Sequence, residues 1–298
     1  ITWQNIIWKS RLPQALTALV AGAGLSISGL QMQTVFRNPL AGPSVLGISS
    51  GASMGVAFVV LLSGSLGGVA LSKLGFMGEI ALSIAAVIGS LSVMALIVYV
   101  SQKVKGNVTL LIIGVMIGYV ANAVIGVLKF FSVEEDIRAY VIWGLGSFAR
   151  VSGNQMTLFV ILMTILIPLS FLLIKTMNLM LLGDSYARNL GLNIKRARLL
   201  VITSAGVLTA IVTAYCGPII FLGLAVPHLC RAIFQTSDHR ILMPAVLFAG
   251  AALALICNLI ARMPGFEGAL PVNSVTAVVG VPDVAPVLYR KRKSELSE

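Results

Sequence analysis

Nine separate stretches of this chain are long and apolar enough to fill the thickness of a lipid bilayer, and that property constrains everything else. A spanning helix needs about 20 apolar residues. The stretches are Ala15–Phe36, Pro43–Leu62, Glu79–Val100, Leu110–Phe131, Met156–Ile174, Leu199–Ala214, Ile219–Phe234, Met243–Ile260 and Leu270–Tyr289. In hydrocarbon each backbone N–H and C=O must be paired within the segment, which favours helices at this length. The reading is an all-α polytopic membrane protein with nine transmembrane helices, a single domain over residues 1–298. Composition agrees: 58% of residues are hydrophobic and 10% are charged. Soluble domains carry about a quarter charged residues, and one water-soluble core stops growing at roughly 250–300 residues.

The formal charge of +11 does not point to nucleic acid, because the basic residues sit in short connections between apolar stretches and not in one stripe. Their distribution orients the chain. One set of alternate connections holds fourteen of the 21 lysines and arginines, from Arg37 through Arg188 and Arg240 to the Arg290–Lys293 cluster. The other set holds seven, including Arg11, Lys129, Arg150 and Arg262. The richer set is expected to face the cytoplasm of a bacterial inner membrane, which puts the C-terminus inside and Ile1 outside. An outside start with no cleavable signal leads to the expectation of a tenth span preceding Ile1 in the intact protein.

Two connections carry structure of their own. Glu134 to Asn154 opens with Glu134, Glu135 and Asp136, and the run that follows holds Tyr140, Trp143 and Phe148. It reads as a short amphipathic helix at the outer interface, where aromatic rings favour the headgroup layer. The inner segment 182–198 reads as a short helix–turn–helix. Asp184 or Ser185 can cap a helix that Gly191 ends, and a second turn begins after Asn193. A helix that short is marginal in water, so it needs something to pack against. Among the spans, Gly47, Gly51 and Gly55 recur every four residues, as do Gly114 and Gly118. Such small-residue faces let helices approach closely.

Chemistry of the enzymatic kind is missing. The sequence contains no G-x-x-x-x-G-K-[ST], H-E-x-x-H or G-x-S-x-G, so the chain holds no ATP in a P-loop and is read as a transporter subunit, not an enzyme. Cys216, Cys230 and Cys257 are scattered in apolar surroundings and read as small buried hydrophobes; His228 and His239 lack a partner at ligand spacing. No metal site or cofactor is expected. Ion-coupled carriers usually place ionisable groups inside spans, whereas here only Asp283 falls within an apolar segment. The spans offer neutral groups instead: Gln31, Gln33, Asn122, Asn273, Ser274 and Thr276. A secondary, ion-coupled transporter or channel stays as the alternative.

Six motifs occur in order along the chain: RLPQALTALVAGAGLSISG (11–29), FRNPLAGPSVLGISSGASMG (36–55), DSYARNLGL (184–192), GPIIFLGLAVPHLCR (217–231), DHRILMPA (238–245) and LPVNSVTAVVGVP (270–282). With them the chain resembles, over essentially its whole length, the type II ABC importer permeases for iron–siderophores, haem and cobalamin. The resemblance implies two permease copies around a central path, with a homodimer expected. Two cytoplasmic ATPases that hold the ATP and magnesium would dock below, and a periplasmic substrate-binding protein above. It implies a coupling segment at Asp184, Ala187, Leu190 and Gly191, and binding-protein docking through Arg11 and Arg262. It also implies a path lined by the fourth and ninth spans, with Asn122, Asn273 and Ser274, and an inner gate at Asn107 and Thr109. The sequence departs from the family pattern at Gln14, where a second arginine is usual, and at Pro282, Asp283 and Pro286 in the last span.

Overall fold

The computed structural model describes residues 2–65, 76–104, 106–151, 153–263 and 270–280. All the regular structure among these residues is helical. A short helix α1 (Thr2–Ile6) runs through a π-turn into α2 (Leu12–Phe36). A 3₁₀ turn at Pro43–Leu46 leads to α3 (Ile48–Ser65), followed by α4 (Phe76–Lys103), α5 (Asn107–Phe130) and α6 (Glu134–Gly144). After a 3₁₀ turn at Phe148–Arg150 come α7 (Gly153–Phe171), α8 (Ile174–Leu181) and α9 (Asp184–Asn189). Then follow α10 (Ile194–Cys216), α11 (Leu222–Phe234) and α12 (His239–Ile260), with a final helix α13 over 272–280.

Five helical segments are long and apolar enough to cross a membrane: Gln4–Phe36, Gly78–Lys103, Val108–Phe130, Ile194–Cys216 and His239–Ile260. A sixth is the pair α7 and α8, bent by 46° at a two-residue break. At that break the hydrogen bonds tighten to i→i+3, from Leu172 N–H to the Leu169 carbonyl and from Leu173 N–H to that of Ser170. Ser170 Oγ draws off the Ile167 carbonyl (2.5 Å), a side-chain competition that weakens a helix ladder. Residues 48–62 and Leu222–Phe234 form shorter apolar helices. The expected ninth span enters the described residues only as α13, and Pro282, Asp283, Pro286 and the Arg290–Lys293 cluster lie outside them.

Helix α2 is the axis of the bundle. Every residue from Ala21 to Phe36 is buried, because α7, α10, α11 and α12 pack around it. That enclosure depends on small residues. A methyl group at Gly29 would fall on the Gly223 carbonyl of α11, and one at Gly22 on the Gly250 carbonyl of α12. Gly51 and Gly55 of α3 meet Gly89 and Ala85 of α4 in the same way. Gly47 does not share their face. It precedes α3 with φ +74° as the cap of the 3₁₀ turn, and packs on Gly114 and Gly118 of α5. In turn, Gly114 admits the Val45–Leu46 backbone.

Helix ends gather at two poles. Arg37, Met180, Asp184 and Arg198 meet at one, together with the cluster of Asn178, Asp238, His239 and Thr34. At the other, Ser147 N–H bonds the Cys216 carbonyl (2.8 Å) and Ser132 Oγ the Leu61 carbonyl (3.1 Å). The connections after α2, α8 and α11 therefore share one pole, and those after α3, α5 and α10 the other.

The expectation for 134–154 needs correcting. The helix forms, but Tyr140, Trp143 and Phe148 are buried inside the protein (8%, 2% and 0% exposed) and not spread along an outer surface. Tyr140 and Trp143 pack with Ala52, Val56 and Ala86 of α3 and α4. Lys129 lies over the Tyr140 ring at 4.8 Å and Arg150 over the Trp143 ring at 5.8 Å, so both cations are held by aromatic faces.

Candidate functional site

The segment between α8 and α10 is a compact protrusion whose geometry follows from three residues. Gly183 (φ +97°) turns the chain out of α8. Gly191 (φ +86°) closes α9: its N–H bonds the Arg188 carbonyl and Leu192 N–H bonds the Ala187 carbonyl, both at 2.9 Å. That pair of bonds is a Schellman cap, which needs a left-handed residue where Gly191 stands. Asn193 then caps α10, its Oδ1 accepting from Arg196 N–H at 3.1 Å. A short helix and a turn stand here, but the expected short second helix is instead the start of the long α10.

Its residues divide into two faces. Ala187 is fully buried and faces the bundle, whereas Tyr186 and Leu190, one turn apart on α9, are 61% and 54% exposed, with Leu182 beside them at 55%. Tyr186 on α9 and Leu190 at its C-cap thus carry apolar side chains outward, with Leu182 beside them. Gly191 looks onto open space: a methyl group there would meet no heavy atom within 4 Å. Asp184 turns inward. Its Oδ1 accepts from Arg37 Nη2 at 2.5 Å, and its Oδ2 lies 3.7 Å from Arg198 Nη2. Arg37 Nη2 also donates to the Met180 carbonyl at 3.0 Å. The expectation that Asp184 caps α9 therefore gives way: it occupies the first helical turn and binds two arginines.

At the opposite pole Arg11, just before α2, and Arg262, just after α12, come close to one another. Burial, and then the like charge of Arg11, push the Arg262 guanidinium below its ordinary range. Neither arginine has an ion-pair partner among the described residues. Two cations kept close and unpaired repel, and such a pair is relieved by an incoming carboxylate. Gln14 is buried, with its Nε2 donating to Ser10 Oγ (3.0 Å) and its Oε1 unpartnered, so it adds a neutral group near Arg11. In the first turn of α6, Asp136 is buried with Oδ2 unpartnered. Burial first, and Glu135 second, raise its carboxyl above the usual range.

The residues expected along a path are dispersed. Thr109 and Asn122 are exposed on α5, and Ser274 is exposed on α13. Asn107 begins α5. Asn273 is engaged structurally: its Nδ2 donates to the Pro218 carbonyl (2.5 Å) and its Oδ1 accepts from Ile220 N–H (3.2 Å). It thereby satisfies the non-helical link between α10 and α11. Gln31, Gln33 and Thr276, read from sequence as offering a polar route, are buried within the bundle. Gln31 donates to Ser204 Oγ (3.0 Å), while Gln33 donates to the Leu224 carbonyl and accepts from Arg231. Their amides join helices, because a polar group among apolar neighbours needs a partner. His239 is likewise structural, held by Thr34 and Asn178 at 2.7 Å each. The three cysteines are buried, as their surroundings foretell.

Sequence reasoning missed Tyr186 and the Arg37 and Arg198 partners of Asp184. The i, i+4 placement of Tyr186 and Leu190 was available as a signal; the arginine partners, remote in sequence, were not.

The model of the FecCD transport family matches residues 2–290. The vitamin B12 import system permease protein BtuC of Klebsiella pneumoniae is 35% identical over 289 residues, covering 97% of this chain and 84% of that protein. BtuC of Citrobacter koseri is 35% identical over 291 residues, with 96% and 84% covered. A solved inward-facing conformation of a putative metal-chelate type ABC transporter superposes with a TM-score of 0.85 at 29% identity, covering 96% of this chain and 88% of that one.

Proposed function

Because this chain belongs to the FecCD transport family, we propose that it is the membrane permease of an ATP-driven importer of a metal chelate, with cobalamin the first substrate to test. The relatives that match nearly the whole chain are permeases of vitamin B12 import, and a metal-chelate type transporter shares the fold; ferric siderophore and haem are the chelates to compare. In this reading all nine apolar stretches cross the bilayer. The pole with Arg37 and α9 faces the cytoplasm, and two ATPases dock there. A periplasmic binding protein meets the Arg11–Arg262 pole, since complementary charge sets encounter rate and register. A second permease copy covers α5, whose apolar window is only 22% buried. Asn122, Ser274, Asn107 and Thr109 then border the path between the copies. Transport proceeds by alternating access, each partner favouring the state it binds more tightly.

The observation that carries the proposal is the outward Tyr186–Leu190 pair on a helix too short to stand alone. The test is gentle detergent extraction of the tagged permease from its native membranes, with mass spectrometry and an ATPase assay on what co-elutes. A Walker-motif ATPase near equal stoichiometry, lost in Tyr186→Asp or Leu190→Asp, is the expected result. A chain that elutes alone, with uptake driven by an ion gradient, would reject the reading in favour of a secondary transporter.

A further inference from the structure

A cavity of about 410 Å³ opens where the end of α4 meets the start of α10. Gln102 of α4 lines it, with Asn193, Lys195, Arg196 and, one turn further along α10, Leu199. Four of these five side chains are polar or charged. The groove of about 550 Å³ between α3 and α4 is the opposite case, with Ser92 its single polar side chain. None of the residues lining the α4–α10 cavity belongs to α8 or α9.

The spans it joins fix its depth. Gln102 is next to the last residue of the apolar segment Gly78–Lys103, and Lys195 and Arg196 are the second and third of Ile194–Cys216. Spans end where hydrocarbon gives way to headgroups, so the cavity lies at the level of the lipid phosphates. Toward the bilayer, the same two helices present apolar side chains. Leu96 and Tyr99 of α4 are 46% and 56% exposed, and Leu200 of α10 is 55% exposed. A polar recess above exposed apolar flanks has the polarity profile of a phospholipid.

Its charge selects among lipids. Lys195 and Arg196 are exposed, and neither has an ion-pair partner among the described residues. No carboxylate lines the cavity. The first turn of α10 adds partial positive charge between Asn193 and Lys195. Asn193 Oδ1 accepts from Arg196 N–H at 3.1 Å, and the other N–H groups of that turn have no acceptor within the helix. We propose that this cavity binds the phosphodiester headgroup of an anionic phospholipid, of which phosphatidylglycerol is the simplest. Lys195 and Arg196 meet the phosphate, the Gln102 and Asn193 amides supply hydrogen bonds, and the acyl chains run along the apolar flanks. Basic pockets between spans are a recurrent setting for such headgroups. A zwitterionic lipid gains less, because its choline or ethanolamine cation meets two more cations and no acid. The importer reading enters only in naming the leaflet, which is then the cytoplasmic one.

A lysine or arginine at such a surface contributes about fivefold in affinity, and the pair about 25-fold. The test titrates the purified permease, in neutral detergent, with dioleoyl phosphatidylglycerol or dioleoyl phosphatidylcholine and counts bound lipid by native mass spectrometry. Phosphatidylglycerol is expected to bind at least about tenfold more tightly. Lys195→Gln combined with Arg196→Gln should weaken it by about 25-fold and leave phosphatidylcholine unchanged. Lys175→Gln combined with Arg240→Gln removes the same charge from exposed positions on α8 and α12 and should change it by less than about twofold, since distant exposed charges are screened. Reactivity of the three buried thiols on heating shows that each variant is folded. Phosphatidylglycerol affinity that is unchanged in the first variant, or lowered equally in the second, overturns the proposal. Displacement of the lipid by inorganic phosphate would assign the cavity to a free anion. Loss of ATPase attachment in the first variant, with lipid affinity intact, would assign it to the partner protein. Either of these results overturns the proposal as well.

Discussion

Gly191 offers a quantitative test of how the segment between α8 and α10 holds its shape, and of the ATPase docking proposed for it. Its φ of +86° lies where an L side chain is strained, yet a methyl at that site meets no atom of this chain within 4 Å. Within the permease, substitution therefore acts on the backbone and not by collision. A left-handed residue with a Cβ costs about 1–2 kcal/mol, and asparagine escapes much of that. Helix α9 has six residues and no stability of its own, so the strain falls on the fraction of segments correctly turned. At 1.4 kcal/mol per tenfold, Gly191→Ala should weaken ATPase affinity by about 5- to 30-fold. Gly191→Asn should stay within about threefold, and the β-branched Gly191→Val should be the weakest of the three. Titration of the purified ATPase onto permease in nanodiscs gives the affinities. Hydrogen exchange at the amides of Gly191 and Leu192, which bond Arg188 and Ala187, gives the local opening without the partner. If the three variants bind equally badly while their exchange matches the unmodified protein, the backbone argument is refuted and the partner's surface excludes any side chain there.

Gly29→Leu should destabilise the bundle by several kcal/mol, because its first carbon falls on the Gly223 backbone and overpacking costs about 1–3 kcal/mol even where neighbours can shift; heating with a thiol-reactive dye that detects Cys216, Cys230 and Cys257 measures it. Arg11→Gln combined with Arg262→Gln should slow binding-protein association by at least about tenfold at low ionic strength and flatten its salt dependence; equal rates would remove the arginine pair from docking. Asp136→Asn should raise the unfolding temperature at pH 7. The Asp136 carboxyl titrates higher in the folded state than in the unfolded chain, so its penalty is absent below the unfolded pKa and grows as pH rises through the folded one. The variant's advantage should therefore vanish on acidification to about pH 3, and an advantage present only in acid would reverse the assignment.

Much of this architecture is legible because its energetics are local. A run such as Met243–Ile260 is apolar wherever it lies, and α12 indeed covers it. Gly183, Gly191 and Asn193 set the bounds of the segment between α8 and α10 through backbone angle and capping, both properties of a few adjacent residues. The sequence could also say that Gly51, Gly55, Gly114 and Gly118 permit close packing. It could not say that Gly47 sits in a 3₁₀ cap against α5, or that Gly29 and Gly223 form the tighter crossing.

What the tertiary structure alone decided is which polar and charged groups face one another. Gln31 meets Ser204, Gln33 meets Arg231 and Arg37 meets Asp184, across separations of 173, 198 and 147 residues. Tyr140 and Trp143 have the composition of an interfacial belt but pack inward, since a neighbouring helix and a lipid tail are equally apolar surroundings for a ring. By itself, the sequence determined that the chain must cross a membrane as helices and where it must turn, because transfer into hydrocarbon and backbone conformation are costs each segment meets alone. Which helix lies beside which depends on the fit of small residues and the pairing of polar ones between segments remote in the chain, and only the assembled bundle specifies that.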